Sequence, residues 1–410
     1  MYKLNRFQFL LFFSCFFYFL FICLFRYFKD FDLSKIFGLN LYRATHWLVN
    51  YYDFTFIKRG LVGTTIKFIS FNNIITLELI LIFSLIILFL FIYLVISIYN
   101  IFECINYIKL LFICFIFSHA FIYFYSLDLG RFDQINNILL ILAMYVIFNF
   151  NFNTNFIYLG LIIFLGTFIH EAFLLIQFPM IISIFFFKEK SIKKNSLTKS
   201  SVNTSAIFSF GLIASMVITK FGYVEYYSAF EMKKILIQIT NFEPSLGVLE
   251  TFFHNPLDYL FIGWNTIFCL DQMLCRPYTI ITLIINNFPF LLFFIIFFWS
   301  ISKNYRFKLE DIFLIFCTFI PLLAEIFITF VDYYRVDAIT ILNLFIFAII
   351  FIKFSDHKSS FLINNINNHF IIYSSLSIFY SLIIISGHLS FNNFSSSVSP
   401  INYIIFHFTH

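Results

Sequence analysis

The chain has 410 residues, of which 61% are hydrophobic, 11% are charged and 69 are Phe, with a formal net charge of +5. That apolar fraction lies far outside the range of soluble domains, and the repeated apolar runs approach the roughly 20 residues a bilayer-crossing helix needs. A water-soluble fold is excluded, and a small positive charge confined to loops speaks for membrane topology and against nucleic acid as a partner.

Hydropathy places about eleven spans along the chain. The first, 7–25, follows Lys3 and Arg6 and runs into Leu-Phe-Arg-Tyr-Phe-Lys rather than a small-residue cleavage site. It is expected to stay in place as a helix and not to be removed as a signal peptide. An enlarged loop at 26–73 carries Asp30, Asp32, Arg43, His46 and the island Asp53-Phe-Thr-Phe-Ile-Lys58-Arg59-Gly60-Leu-Val-Gly63. Spans at 74–98 and 108–127 flank a short connection with Glu103. The island Asp128-Leu-Gly-Arg131-Phe-Asp133 leads into a span at 135–151, and an Asn-rich turn leads into one at 156–169 that ends at His170-Glu171. The sixth span, 172–187, contains Pro179. Residues 188–204 are the most basic and least apolar stretch and read as a disordered, solvated loop. After a span at 205–221, a second enlarged loop at 222–283 holds Lys233, Lys234, Trp264, Asp271 and Arg276. Its aromatic content suggests short amphipathic helices lying on the membrane surface. Spans at 284–302, 311–330, 337–353 and 370–387 follow, the middle two separated by Val331-Asp-Tyr-Tyr-Arg335-Val-Asp337. The expectation is an all-α polytopic protein, one integral membrane domain over 1–410.

Orientation rests on Lys and Arg in alternate loops. A cytoplasmic 188–204 also places 303–308 and 353–358 inside, and both are basic. The N terminus is then cytoplasmic, the loops 26–73 and 222–283 are external, and the charged islands all fall on the outer side. So do His119, Glu78 and Glu325 in the outer halves of spans. Charge at membrane depth is costly and generally faces a bundle interior or a water-filled cavity, so one polar cavity open to the outside is expected.

Within that cavity Lys58, Arg59, Arg131, Arg276 and Arg335 are candidate binders of an anionic group. The arginine fork matches phosphate oxygens. Asp53, Asp128, Asp133, His170 and Glu171 are candidates to take a proton from a hydroxyl. Each island has a plainer reading: a basic anchoring loop at 53–63, a helix-capping turn at 128–133, and an interfacial pair at His170-Glu171. The last lacks the spacing of a zinc motif, and neither a metal nor a cofactor is expected. Cys269 and Cys275 could form a disulfide or remain two thiols.

The number of Phe- and Ile-rich spans, the two enlarged arginine-bearing external loops and the basic middle loop resemble the Wzy-type O-antigen or capsule polymerases and related bacterial membrane glycosyltransferases. The acid-bearing first loop is similar to that of the C-type transferases, with Asp53, or Asp30 and Asp32, as the equivalent acid. The resemblance covers architecture across the whole chain and little of it in motif. It implies head-to-tail polymerisation of undecaprenyl-diphosphate-linked repeat units at the outer face of the bacterial inner membrane. It also implies a lipid-linked oligosaccharide and membrane lipid as partners, with a chain-length regulator protein beside them. A polysaccharide flippase or other transporter and a non-catalytic assembly partner remain as alternatives. A transporter would place charge near the midplane and on both faces.

Overall fold

Long apolar runs become helices where a polar side chain can cap the first free amides. Thr76 accepts a hydrogen bond from the Leu79 N–H (3.2 Å) at the head of one helix, Asn151 from Thr154 (3.1 Å) at another, and Ser196 from Lys199 (3.3 Å) at a third. The computed structural model describes residues 5–30, 39–71, 74–100, 106–127, 129–222, 224, 226–253, 284, 287–302, 306–324, 333–354 and 369–387. These form α1 (Arg6–Asp30), α2 (Leu41–His46), α3 (Tyr51–Phe54), α4 (Gly60–Ile69), α5 (Leu77–Ser97) and α6 (Asn106–Ile116). Then come α7 (Phe124–Leu127), α8 (Asp133–Asn149), α9 (Phe152–Ile169), α10 (Phe173–Ile176), α11 (Phe178–Phe187) and α12 (Leu197–Phe221). The remainder are α13 (Ala229–Ile237), α14 (Leu246–Glu250), α15 (Phe288–Ser302), α16 (Leu309–Ala324), α17 (Tyr333–Phe354) and α18 (Phe370–Gly387).

Among the described residues the fold is all-helical, and six helical stretches are long and apolar enough to cross a membrane: Arg6–Leu24, Leu77–Asn100, Tyr107–Ser126, Phe152–Ile169, Leu197–Phe221 and Val336–Phe354. Shorter apolar helices include Asp133–Asn149, Phe288–Trp299 and Phe370–Tyr380. The long helices divide by burial. Tyr107–Ser126 and Val336–Phe354 are 89% buried, whereas Leu197–Phe221 is 22% buried. The first two are therefore the axis of the bundle, and α12 belongs to its rim. Rim helices expose apolar pairs four residues apart, Phe13 and Phe17 on α1 and Ile157 and Leu161 on α9. Such stripes suit lipid, not water.

The axial stretch 107–126 is not one continuous helix. Ser118 is extended (φ −66°, ψ 153°), a π-helical turn spans His119–Tyr123, and Phe121 leaves helical geometry (φ −112°, ψ −105°). Backbone freed inside a bundle needs a new partner, and Asn287 Oδ1 accepts the Ala120 N–H at 3.1 Å. Pro179 lies in the first turn of α11, where its missing N–H breaks no helical bond.

The expectation of a disordered loop at 188–204 is corrected. Lys188–Ile192 is a π-helical turn, α12 already begins at Leu197, and Lys188 and Glu189 are buried. The reason is local charge pairing. Glu189 accepts hydrogen bonds from Lys193 (2.6 Å), Asn195 (2.9 Å) and Asn203 (2.7 Å), so one carboxylate gathers the polar residues that composition assigns to solvent. Lys188 Nζ donates to the carbonyls of Ile147 and Phe150 at the end of α8, where a cation complements the helix dipole. Ser191 donates to Glu310 (3.1 Å), which ties this turn to α16 at the same end of the bundle. The enlarged loop at 26–73 also proves largely helical where described, since α1 reaches Asp30 and α2, α3 and α4 follow.

Candidate functional site

The opposite end of the bundle gathers the charged stretches at 53–63, 129–133 and 170–171. Its frame is the segment 39–71, three short helices of which the first two are started by side-chain caps. Asn40 accepts from the Arg43 N–H at 2.9 Å, and Asn50 from the Tyr52 and Asp53 N–H groups at 3.0 Å each. Trp47 Nε1 donates to the Gly130 carbonyl at 2.6 Å and its ring lies 5.7 Å from that of Phe132, which joins the first island to the second. Gly130 has φ +86°, a left-handed conformation that glycine adopts without a Cβ penalty. The Ser245 N–H donates to Thr45 Oγ1 (2.8 Å) and the Ile75 N–H to the Ile239 carbonyl (2.7 Å), so the start of the second enlarged loop closes over the first.

The glycines of the Lys58–Gly63 stretch serve packing. A Cβ on Gly63 would sit 2.0 Å from the Val49 carbonyl oxygen, and one on Gly60 would sit 2.5 Å from the Tyr51 ring. Helix α4 is thus pressed onto the chain at 47–51, and the two cations before it are held by that docking. Lys58 is fully buried, and its N–H donates to the Gly222 carbonyl at the end of α12 (2.9 Å). On either side of it, Thr55 (φ 59°, ψ −155°) and Arg59 (φ 61°, ψ 4°) have left-handed φ values without being glycine. Each such residue costs about 1–3 kcal/mol and persists only where its surroundings over-determine it.

What over-determines Arg59 is Glu171. Arg59 Nε donates to both carboxylate oxygens, at 3.1 and 2.9 Å, and Nη2 also donates to Oε1. The two side chains are 13% and 14% exposed, so the pair is largely withdrawn from water. Burial pushes the Glu171 carboxyl up. The charge of Arg59 comes next in strength, and with His170, the Arg59 hydrogen bonds and Lys58 it holds the group well below the usual carboxylate range. His170 Nδ1 accepts the Ala172 N–H at 3.2 Å, which places the proton of the neutral ring on Nε2. When protonated, the ring adds its charge to the groups that hold Glu171 down, with that same Nδ1 3.6 Å from the carboxylate. Arg59 and Lys58 remain as the two cations around one carboxylate.

Of the other candidates, Asp53 is engaged by Lys67 Nζ (2.5 Å) and by Asn50 Nδ2 (2.8 Å). Asp133 is buried in the first turn of α8, and Arg131 is partly exposed two residues before it. Asp128, Arg276, Cys269, Cys275 and Glu325 lie outside the described residues, and Arg335 is described only as backbone in α17. Glu78 is an exposed first-turn residue of α5. The structure thus brings Lys58, Arg59, His170 and Glu171 together and links them through Trp47 to the Arg131–Asp133 turn.

Sequence reasoning misses a tier of neutral groups just inside this cluster. Gln177 Nε2 donates to Asn137 Oδ1 (3.0 Å), Asn137 Nδ2 to the Tyr125 hydroxyl (2.6 Å), and Gln134 Nε2 to the Tyr125 carbonyl (3.0 Å). Both amide atoms of Asn136 and Oε1 of Gln177 are buried with no hydrogen-bond partner among the described residues. Such an atom costs about 1–3 kcal/mol. Four amides in apolar stretches, at 134, 136 and 137 on α8 and at 177 between α10 and α11, are the signal that was available. No protein family, curated protein or solved structure matches the chain.

Proposed function

We infer that the chain is a membrane glycosyltransferase of about eleven spans. In this reading it joins undecaprenyl-diphosphate-linked oligosaccharide units at the outer face of a bacterial inner membrane, as an O-antigen or capsule polymerase does. The observation that carries the reading is the Arg59 fork, held by strained backbone beside buried Lys58 and closed on a carboxylate. A fork set to take two carboxylate oxygens takes two phosphate oxygens by the same geometry. In transfer from a polyprenyl diphosphate, negative charge grows on the departing diphosphate, and fixed cations stabilise that charge more than the ground state. Lys58, Arg59 and Arg131 take this role. Glu171 orients the fork and is a poor base, because its carboxyl is held so far down. Asp53 is occupied by Lys67 and Asn50. The candidates left for the acceptor's proton in this reading are Asp128, Asp133 and His170. Membrane lipid surrounds the rim helices, and a chain-length regulator is the partner protein this reading calls for.

A second reading has its own support. The fork could be a structural clamp only, since Gly60, Gly63 and the Lys58–Gly222 bond all serve close packing. Lysine substitution separates the two. Arg59→Lys and Arg131→Lys keep the charge and lose the bidentate grip, which should weaken transition-state binding by roughly 1.5–3 kcal/mol. Chain formation should fall by about one to two orders of magnitude in rate, with folded protein still present by immunoblot and gel filtration. Arg306→Lys at the other end should behave like the parent. Normal glycan chain length from well-folded Arg59→Lys and Arg131→Lys proteins would leave the clamp reading standing and remove the transferase one.

A further inference from the structure

The charged cluster has a floor of different chemistry. On α8, Asp133, Asn136, Asn137 and Leu140 follow the i, i+3, i+4, i+7 spacing of one helix face, so Asn136 and Asn137 lie one turn, ~5 Å, inside Asp133. On the neighbouring strand of chain, Gln177 follows the His170-Glu171 turn by the single helical turn of α10. The Gln177–Asn137 bond of 3.0 Å brings the two together. No member of this tier carries a charge, and Gln134, Asn136, Asn137 and Gln177 are each at most 1% exposed.

Three atoms decide what the tier suits. The Gln177 amide is oriented by its Nε2 bond to Asn137, which is itself oriented by its bond to the Tyr125 hydroxyl, so Gln177 Oε1 is left as a fixed acceptor. Asn136 adds one donor, Nδ2, and one acceptor, Oδ1, neither of which has a partner among the described residues. A network built only to hold helices together closes on itself, because unmade buried hydrogen bonds oppose folding. Here Gln177 Oε1 stays open at the end of the network, and both amide atoms of Asn136 stay open beside Asn137 on α8, so both polarities are present. A phosphate offers acceptors alone and would set its oxygens against Asn136 Oδ1 and Gln177 Oε1. A sugar hydroxyl donates and accepts at once and answers both.

We propose that Asn136 and Gln177, braced by Asn137 and Tyr125, form a subsite for a neutral, hydroxyl-rich ring, the sugar attached to the diphosphate that Arg59 and Lys58 grip. The proposal rests on the function proposed above, since it takes the charged cluster as the diphosphate site. It adds residues that sit deeper and discriminate the glycan from the bare lipid. Specificity of this kind comes from site amides that the wrong ligand leaves unpaired. It also makes the subsite a place where the fold gives up stability for recognition.

The full chain in detergent tests this with two probes, undecaprenyl diphosphate and undecaprenyl diphosphate carrying a single hexose, read by ligand-dependent melting and by native mass spectrometry. The parent is expected to bind the hexose-bearing lipid more tightly than the bare one. Asn136→Leu should melt at or above the parent temperature, because it removes a buried amide with no partner among the described residues. It should bind bare undecaprenyl diphosphate as the parent does and lose at least tenfold in affinity for the hexose form. Gln177→Met should lose the same discrimination. A variant that keeps the preference for hexose overturns the proposal. So does a parent that binds both lipids equally, although the diphosphate site would then stand. Failure of both Asn136→Leu and Asn136→Ser to fold would assign the amide to the fold and overturn the proposal as well. A parent that binds neither lipid removes the transferase reading and the subsite with it.

Discussion

Gly63→Ala is expected to leave little correctly folded protein. The added Cβ would stand 2.0 Å from the Val49 oxygen, 2.7 Å from the Val49 carbonyl carbon and 3.1 Å from the Trp47 oxygen, all of them backbone atoms. A side chain could turn aside, but backbone here cannot, because Trp47 is tied to Gly130 and Asn50 caps α3. Overpacking typically costs about 1–3 kcal/mol, and a clash with fixed backbone belongs at or above the upper end. Thermal unfolding in detergent measures it, with Gly247→Ala as the comparison. Gly247 has nothing within 4 Å of its Cβ position and sits in α14, so alanine there should be neutral or stabilise by about 0.5–1 kcal/mol. Equal melting temperatures for the two variants would show that α4 does not press on residues 47–51.

Glu171→Gln is expected to be the most damaging change to the charged cluster. It leaves the Arg59 guanidinium and the Lys58 ammonium withdrawn from water without their shared carboxylate. Removing one partner of a buried pair costs about 3–5 kcal/mol. The same carboxylate makes stability depend on pH with a definite sign. Its folded pKa is lowered well below the ordinary 4.5, so its contribution is fully present above about 4.5 and is lost as pH falls toward the folded value. Melting curves taken from pH 6 down to pH 3 should therefore converge for the parent and Glu171→Gln at the acid end. Parallel curves across that range would mean that folding leaves the Glu171 carboxyl where it titrates in the unfolded chain.

The sequence carried the membrane class and the meeting of the stretches at 53–63, 129–133 and 170–171, because both follow from composition and alternation of spans. Arg59 and Glu171 stood out as rare charges in apolar surroundings, although their pairing across a separation of 112 residues was not visible. The meaning of Gly60 and Gly63 was hidden for a physical reason. Glycine before a helix fits a ligand loop and a packing contact equally well, and only the position of Val49 separates them. Residues 188–204 were misread because average polarity does not register that a single Glu189 can gather three partners. The break at Phe121 left no trace in hydropathy, since the residues around it are as apolar as those of an unbroken helix.

The bond between Arg59 and Glu171 also sets an order of events during synthesis. At about 5–20 residues per second, the 112 residues between them take roughly 6–22 s to emerge. The bond from Lys58 to Gly222 waits longer still. Throughout that interval the early segment has its cations without their acid and no late helix to lean on. The left-handed turn at Arg59 lacks its carboxylate partner until the ninth helix has arrived, so this end of the molecule matures late although its chain is made early. Ribosome-bound chains halted before residue 171 should accordingly expose Arg59 to an arginine-specific reagent, and chains extended past residue 222 should shield it.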